Sequence, residues 1–149
     1  MGGALLAALL FTGCLSWKNA EVSLEKPQPT TLDIAVIAAD TKTPLAVYFF
    51  GLKSVEHFKK LDYFELIKPR DLKLRREIVT RSKTILSPGE MEKRSVRLGK
   101  KIRYYAVVVG FKDALQNDGW RYIQKIEPET KNDITLILGQ DSMRRVAKQ

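Results

Sequence analysis

The sequence predicts an all-β sandwich of seven or eight short strands with one small helical insert. Short runs rich in Val, Ile, Tyr and Phe recur along the chain and are separated by turn signals such as Ser87–Glu90. These runs do not alternate with helices, as a parallel α/β fold requires, and no period of about 20–50 residues indicates a repeat protein. The 149 residues, 44% hydrophobic and 29% charged, suffice for one domain with an ordinary core.

The first half of this domain predicts two strands and the insert. Leu32–Ala39 alternates weakly and is rich in Ile and Val, which predicts a strand buried on one face. A turn signal at Asp40–Pro44 leads to a second strand, Leu45–Leu52. Ser54 can then cap a helix, because apolar residues recur every three positions and predict one apolar helical face. The residues of this face are Val55, Phe58, Leu61, Phe64 and Ile67.

The second half predicts a basic loop and five more strands. Leu72–Arg76 is the loop. The strands are Glu77–Leu86, Met91–Leu98, Ile102–Phe111, Trp120–Ile126 and Ile134–Leu138. The second of these alternates charged and apolar residues, as a strand at an edge or exposed on one face does. The third is the most apolar run and predicts a central strand, whereas Gln140–Gln149 predicts a solvated tail.

The chain begins with a segment typical of export. Ala4–Phe11 contains eight apolar residues, fewer than the roughly 20 of a membrane-spanning helix, but enough for the apolar region of a signal peptide, about 7–15 residues. Thr12 and Gly13 then precede the one Cys of the chain, Cys14. This arrangement resembles the lipobox of bacterial lipoproteins, which implies a signal peptide over residues 1–13 and lipidation of Cys14. The alternative is that Cys14 belongs to the core.

The segment after Cys14 predicts a tether. Leu15–Thr30 is polar, contains Pro27 and Pro29 and has no sustained strand or helix period. Fully extended, it reaches at most about 55 Å. The predicted organisation is therefore a signal peptide at 1–13, a lipidated Cys and flexible tether at 14–30, and the folded domain at 31–149. In lipoprotein sorting an Asp after the lipidated Cys favours the inner membrane, so Leu15 points to the outer membrane.

Composition and motifs argue against catalysis and against a metal centre. One Cys and one His exclude a zinc site of several thiolates and a His-rich cluster. The sequence lacks the phosphate-binding, dinucleotide-binding, zinc-protease and serine-hydrolase motifs. His57 lies in the predicted insert and is expected at the surface or its boundary, and Asp113 and Asp118 are expected in a turn. We therefore expect no enzyme, no cofactor and no catalytic or metal-binding residues.

The net charge of +9 leaves several partners open. Basic residues concentrate in two stretches, which are Lys68, Arg70, Lys73, Arg75 and Arg76, and Lys93, Arg94, Arg97, Lys100 and Lys101. Either stretch fits a solvated face, anionic lipid or an acidic partner. Nucleic acid is disfavoured, because the aromatic residues fall mostly on apolar strand faces where they cannot stack on bases.

Six segments occur in an order and at a spacing typical of one protein family. They are Leu32–Ile34, Thr43–Val47, Leu52–Leu66, Leu86–Glu90, Val109–Arg121 and Asn132–Leu136. Behind a lipobox, this series resembles the type VI secretion outer-membrane lipoproteins, the TssJ (SciN) family, over about residues 14–138. Two departures are Ser87, where the family usually has Arg, and a short loop at Ala39–Thr43.

The resemblance implies a transthyretin-like β-sandwich without enzymatic activity, on the periplasmic face of the outer membrane. It implies that the protein fixes the secretion apparatus there by binding the periplasmic C-terminal region of the inner-membrane protein TssM, in a complex that also contains TssL. By carry-over, the partner-binding residues are Ala39, Asp40, Thr41, Lys42 and Thr43. Trp120 and Arg121 are expected to be structural. The alternative function is another envelope lipoprotein, such as a pilotin-like chaperone of a secretin.

Overall fold

The computed structural model describes residues 27–114 and 116–147. The predicted signal peptide, Cys14 and most of the predicted tether lie outside the described residues. The described residues form eight strands, which are β1 (Thr31–Ile37), β2 (Leu45–Leu52), β3 (Ile78–Leu86), β4 (Met91–Arg97), β5 (Tyr104–Val109), β6 (Arg121–Lys125), β7 (Lys131–Leu138) and β8 (Met143–Arg145). Two short helices, α1 (Tyr63–Ile67) and α2 (Leu72–Glu77), lie between β2 and β3.

The strands form two four-stranded sheets that enclose the core. We name them sheet A, with the order β4-β1-β7-β8, and sheet B, with the order β3-β2-β5-β6. The β1–β7 pair is parallel, with Ile34 opposite Ile134, and the other pairs are antiparallel. The predicted all-β sandwich is therefore confirmed. β5 lies inside its sheet, as its apolar run predicts, and β4 lies at an edge, one of the two alternatives that its alternation predicts.

The central strands of the two sheets differ in burial. In β1 the alternate residues Leu32, Ile34 and Val36 are buried, because one face of sheet A covers the core and the other meets solvent. In β2 every residue except Ala46 is buried. At β2 and β5 the outer face of sheet B is covered by the segment between β2 and β3, residues 53–77, which we name the insert, whereas the outward residues of edge strand β3 stay exposed. The fold thus has three layers, which are sheet A, sheet B and the insert.

Aromatic side chains join the insert to sheet B. Phe58 is fully buried and its ring packs edge-to-face on Phe50 of β2, with centroids 5.2 Å apart. Tyr63 of α1 packs edge-on against Tyr48 at 6.3 Å and against Trp120 at 6.0 Å. Such pairs contribute about 0.5–1.5 kcal/mol beyond the area that they bury. The insert is therefore an integral part of the core.

The prediction of one helix capped by Ser54 is wrong. Turns occupy the first part of the insert, and the helix begins only after Asp62. The Asp62 carboxylate accepts from the Glu65 amide at 2.9 Å, and the Glu65 carboxylate accepts from the Asp62 amide at 3.1 Å. This capping box sets the start of α1 and hence its phase. Tyr63 is consequently buried, and Phe64, predicted on the buried face, is 58% exposed.

The prediction of a loop at residues 72–76 is also wrong, because the segment forms α2. Asp71 caps this helix, with its carboxylate accepting from the amides of Lys73 at 2.7 Å and Leu74 at 3.3 Å. Leu74 is fully buried, and the basic residues around it are exposed. A single buried apolar side chain gives no periodicity, so the sequence pattern contains too little signal to reveal the helix.

Glu77 ties the two ends of the insert together. Its buried carboxylate accepts from the Ser54 hydroxyl at 3.0 Å, from the His57 amide at 3.0 Å and from the Phe58 amide at 2.9 Å. These donors otherwise have no helical partner, because the residues after Ser54 form turns. A buried carboxylate is tolerated only with such a complete set of donors. Ser54 thus orders the insert through Glu77 and does not cap a helix.

The predicted solvated tail contains a strand. Gly139 donates to the Ser142 carbonyl at 2.8 Å and closes a turn, after which β8 pairs with the end of β7. The strand has three residues and lies at a sheet edge. Its sequence pattern is too short to distinguish it from a tail, and the pairing depends on β7, which is already held by β1.

Candidate partner-binding site

The strand directions divide the loops between two ends of the sandwich. At the end that we name proximal, Thr30 leads into β1, and residues 98–103 and 126–130 connect strands. At the opposite end, which we name distal, residues 38–44, 87–90, 110–120 and 139–142 connect strands. All five sequence-predicted partner-binding residues therefore lie together at the distal end.

Backbone hydrogen bonds fix the base of this loop. Ala38 donates to the Glu90 carbonyl at 2.9 Å and accepts from the Gly89 amide at 2.7 Å. The Asp40 amide donates to the Leu138 carbonyl at 3.3 Å. The side chains of Ala39, Asp40, Lys42 and Thr43 are exposed. The loop thus presents accessible side chains from a base held by both neighbouring connections.

Thr41 contributes a polar atom without a partner. Its Oγ1 is buried, and among the described residues it is the buried side-chain nitrogen or oxygen that makes no hydrogen bond. Buried polar atoms in native proteins are nearly always paired. The candidate loop therefore contains a buried hydroxyl without a hydrogen-bond partner beside its exposed side chains.

The turn beside the loop is rigid and charged. Gly89 has a φ of 85°, a conformation that follows Pro88 naturally in a tight turn. The Glu90 amide donates to the Ser87 carbonyl at 3.0 Å, and the Ser87 amide donates to the Glu90 carboxylate at 2.8 Å. Hydrogen bonding from Ser87 lowers the pKa of Glu90. Glu90 therefore keeps its negative charge next to the candidate loop.

The connecting loops at the distal end are acidic. Its loops carry the carboxylates Asp40, Glu90, Asp113, Asp118 and Asp141. The cations of the same loops are Lys42 and Lys112. All of these residues are exposed. The distal loops thus have the opposite sign from the net charge of the chain, a property that sequence order alone does not reveal.

Trp120 and Arg121 hold the insert onto β6. Trp120 is buried, and the Arg121 guanidinium lies 4.5 Å from the centre of its ring. Arg121 Nη1 also donates to the carbonyl oxygens of Phe58 and Leu61, both at 2.7 Å. Burial lowers the pKa of Arg121, an effect that Asp118 partly opposes. These contacts are structural, and they satisfy two carbonyls in the irregular part of the insert.

His57 and Asp113 make contacts that stabilise the fold. His57 is half-buried, with its Nδ1 3.4 Å from Glu77 Oε2. The Asp113 carbonyl accepts from the Gln116 amide at 3.0 Å within a turn. Within residues 27–114 and 116–147, no group of three or more His, Cys, Asp or Glu is arranged to hold a metal ion. No helix in the same part of the chain is long and apolar enough to cross a membrane.

Comparison with known protein families shows which family the chain belongs to. Residues 31–141 match the type VI secretion lipoproteins, a family described by the names VasD, EvfM and TssJ. The chain belongs to this family. The family prediction made from the sequence is therefore confirmed. No match among curated protein sequences reaches significance.

Solved structures similar to this type VI secretion lipoprotein share its fold. The T6SS lipoprotein TssJ1 from Pseudomonas aeruginosa is 23% identical, with a TM-score of 0.74 over 81% of this chain and 98% of that chain. Serratia marcescens Lip, a membrane-bound component of the type VI secretion system, is 19% identical, with a TM-score of 0.66 over 81% and 100%. A chain in the structure of the T6SS protein TssM C-terminal domain from EAEC is 19% identical, with a TM-score of 0.63 over 80% and 99%.

Proposed function

We propose that this lipoprotein anchors a type VI secretion membrane complex to the outer membrane. In this proposal Cys14 carries the acyl chains, residues 14–30 are the tether, and the sandwich faces the periplasm. Residues 39–43 bind the periplasmic C-terminal region of a TssM-like inner-membrane protein, in a complex that also contains a TssL-like protein. The role is mechanical and involves no catalysis.

The main support for the proposal is that the tether and the candidate loop lie at opposite ends of the sandwich. The chain leaves the sandwich at the proximal end, and the candidate loop lies at the distal end. β1 connects them directly and spans seven residues, about 20 Å at the rise of a strand. A protein that links a membrane to a partner benefits from this arrangement, because the attachment point and the binding loop do not compete for the same surface.

The rigidity of the sandwich also supports an anchoring role. β1 lies between β4 and β7 and pairs with both along its whole length. A force applied at the distal loops is therefore transmitted to the tether through two ladders of backbone hydrogen bonds. Family membership and the likeness to a chain in the TssM C-terminal domain structure support the choice of partner.

Capture from intact envelopes tests the partner. A tag after Gln149, crosslinking and mass spectrometry are expected to recover a large inner-membrane protein, crosslinked through its periplasmic region. Recovery of a secretin would indicate a pilotin-like chaperone instead. Recovery of no inner-membrane protein would overturn the anchoring proposal.

A Cys14→Ser substitution tests the lipid anchor separately. We expect the variant to be lost from the outer-membrane fraction and type VI secretion to be abolished. The measurement is membrane fractionation together with effector release. Undiminished secretion in cells that contain no lipidated protein would contradict the anchoring mechanism.

A matched pair of double variants tests the loop. Lys42→Ala with Thr43→Ala removes two exposed side chains of the candidate loop, and Thr130→Ala with Lys131→Ala removes the same residue types at the proximal end. Truncation of central contact residues weakens binding by about tenfold or more. We expect the loop variant to bind the periplasmic region of the captured partner about tenfold more weakly, and the proximal variant to bind it with unchanged affinity. Equal affinities in both variants, with unchanged unfolding temperatures, would move the site elsewhere.

A further inference from the structure

The proximal end concentrates positive charge from segments far apart in the sequence. Its exposed cations are Lys53, Arg97, Lys100, Lys101, Arg103, Lys125 and Lys131. The carboxylates of the same loops are Glu127 and Glu129. Since the distal loops carry five carboxylates against two lysines, the loops and strand ends on the proximal side are more positive than the distal loops. A field of this kind orients the molecule at a charged surface.

An apolar groove lies among these cations. It has a volume of about 400 Å³ between β3 and the β4–β5 connection. Its lining combines the apolar side chains of Val96, Leu98 and Ile102 with the cations Arg97, Lys100 and Lys101. Val79, on the β3 side, remains 38% exposed. Cations beside an apolar groove match the chemistry of a phospholipid, which has an anionic headgroup above acyl chains.

The chain leaves the sandwich through the middle of this surface. The Thr30 carbonyl accepts from the Leu98 amide at 2.9 Å, and the Thr30 hydroxyl accepts from the Glu129 amide at 2.8 Å. Thr30 therefore lies between the two connections that carry most of the proximal cations. If Cys14 is lipidated, which is part of the proposed function, at most about 55 Å of chain separates Thr30 from the bilayer.

We propose that the proximal end docks onto an anionic phospholipid surface. The lysines and arginines contact headgroup phosphates, and the groove receives the apolar region just beneath them. The tether raises the local concentration of the domain at the bilayer, so weak electrostatic contacts suffice. The acidic distal end is repelled by the same surface. Docking therefore orients residues 39–43 away from the membrane, towards a partner that arrives from the periplasm.

Vesicle binding tests the docking without lipidation. The full chain carrying Cys14→Ser is floated with vesicles of phosphatidylethanolamine and phosphatidylglycerol, or of phosphatidylethanolamine and phosphatidylcholine. The apolar segment at residues 4–11 is expected to add binding to both kinds of vesicle. The measured quantity is therefore the fraction bound to anionic vesicles divided by the fraction bound to neutral vesicles. We expect at least a tenfold preference for the anionic vesicles at low salt, which disappears at about 1 M salt, where the Debye length is about 3 Å.

Two charge-reversal variants with the same net charge locate the surface. Lys100→Glu with Lys101→Glu alters the proximal end, whereas Lys93→Glu with Lys112→Glu alters the outer face of sheet A and the distal end. We expect the proximal variant to lose the anionic preference about tenfold, and the control to change less than twofold. Equal losses would mean that net charge alone attracts the chain, and no loss in either variant would also overturn the proposal.

A second experiment measures how close each end of the sandwich lies to the bilayer. It tests the proposal even if the apolar segment at residues 4–11 binds all variants to the vesicles. A fluorophore at Lys100→Cys or at Lys112→Cys, each in the Cys14→Ser chain, is challenged with lipids that carry a quencher below the headgroup. Docking predicts quenching at position 100 and none at position 112. Similar quenching at both would refute the orientation. Since neither assay uses lipidated protein or a partner, failure of docking leaves partner capture and the secretion phenotype of Cys14→Ser unaffected.

Discussion

The two outer faces of the sandwich are built differently. On sheet A the outward residues of β1 and β4 are half-buried or exposed, and polar pairs such as Asp33 and Ser95 occupy this face. On sheet B the insert covers the outer face at β2 and β5, so β2 is buried on both sides, whereas edge strand β3 stays exposed on this face. A strand that is buried on both faces therefore needs apolar residues at nearly every position, whereas a strand buried on one face needs them at every second position. The bare face needs residues compatible with water, and the covered face needs aromatic packing and a satisfied buried carboxylate.

Phe58→Ala should have the largest effect on stability. The side chain is fully buried against Phe50, and removal of such an aromatic costs about 3–5 kcal/mol. Lys93→Ala on the bare face should change stability by no more than about 0.5 kcal/mol. Denaturant unfolding of both variants measures the contrast. A cost below about 1 kcal/mol for Phe58→Ala would mean that the insert is not part of the cooperative core.

Glu77→Gln should come next, at about 3 kcal/mol. The amide preserves the shape but replaces one acceptor oxygen by a donor facing the Ser54 hydroxyl and the His57 and Phe58 amides. A buried donor without an acceptor costs about 1–3 kcal/mol, and hydrogen bonds to charged groups are the stronger ones. Glu65→Gln, in the exposed capping box of α1, is the matched control and should cost less than about 1 kcal/mol. Equal costs for both would contradict the role assigned to Glu77.

The buried hydroxyl of Tyr63 should make the protein less stable at alkaline pH. Burial, followed by the neighbouring Tyr48, raises its pKa from 10.0 to about 12. The folded state therefore holds this proton more tightly than the unfolded state. The stabilisation is complete below pH 10 and is lost as the pH rises to about 12. Two pKa units correspond to about 2–3 kcal/mol.

The alkaline prediction is checked by measuring unfolding free energy between pH 9 and 12, a window that spans the ordinary and the raised pKa of Tyr63. Tyr63→Phe keeps the ring packing against Trp120 but has no ionisable hydroxyl. The variant should therefore lose stability less steeply with pH than the unmodified protein. Parallel pH profiles would show that Tyr63 does not titrate differently in the two states.

Asp33→Ala should have the smallest effect, about 0.5 kcal/mol. Its carboxylate accepts from the Ser95 hydroxyl at 2.7 Å on the outer face of sheet A, and Asp33 is exposed. Water replaces such a hydrogen bond at little cost. Denaturant unfolding is again the measurement. A loss above about 2 kcal/mol would show that the bare face depends on specific contacts as strongly as the covered face does.

The elements that sequence reasoning predicted well have strong local signals. β2 has the predicted bounds Leu45–Leu52 because a turn precedes it and the apolar run ends at Lys53. The edge position of β4 is one of the two alternatives that its alternation predicts. The insert was predicted poorly because its order comes from Glu77 and Arg121, which lie 19 and 63 residues from Phe58. No local pattern encodes contacts at that separation.

The candidate loop also combines features that are local in the sequence with features that depend on distant residues. Its five residues are adjacent in the chain, so a family resemblance predicts all of them together as candidates. Their neighbours, the turn at residues 87–90 and the end of β7, are brought to them by sheet pairing. The unpartnered Thr41 hydroxyl was missed because its burial depends on how those connections pack around it.

Residues close together in the chain are enough to predict the all-β class and most of the strands, and the order and spacing of six short segments are enough to predict the family. The start of α1, the covered outer face and the grouping of seven scattered cations at one end become visible only in the folded structure. The physical reason is that burial and electrostatic fields depend on distance in space. Antiparallel and parallel pairing brings residues such as Lys53, Lys101 and Lys131 to the same end, although some 80 positions separate the first from the last.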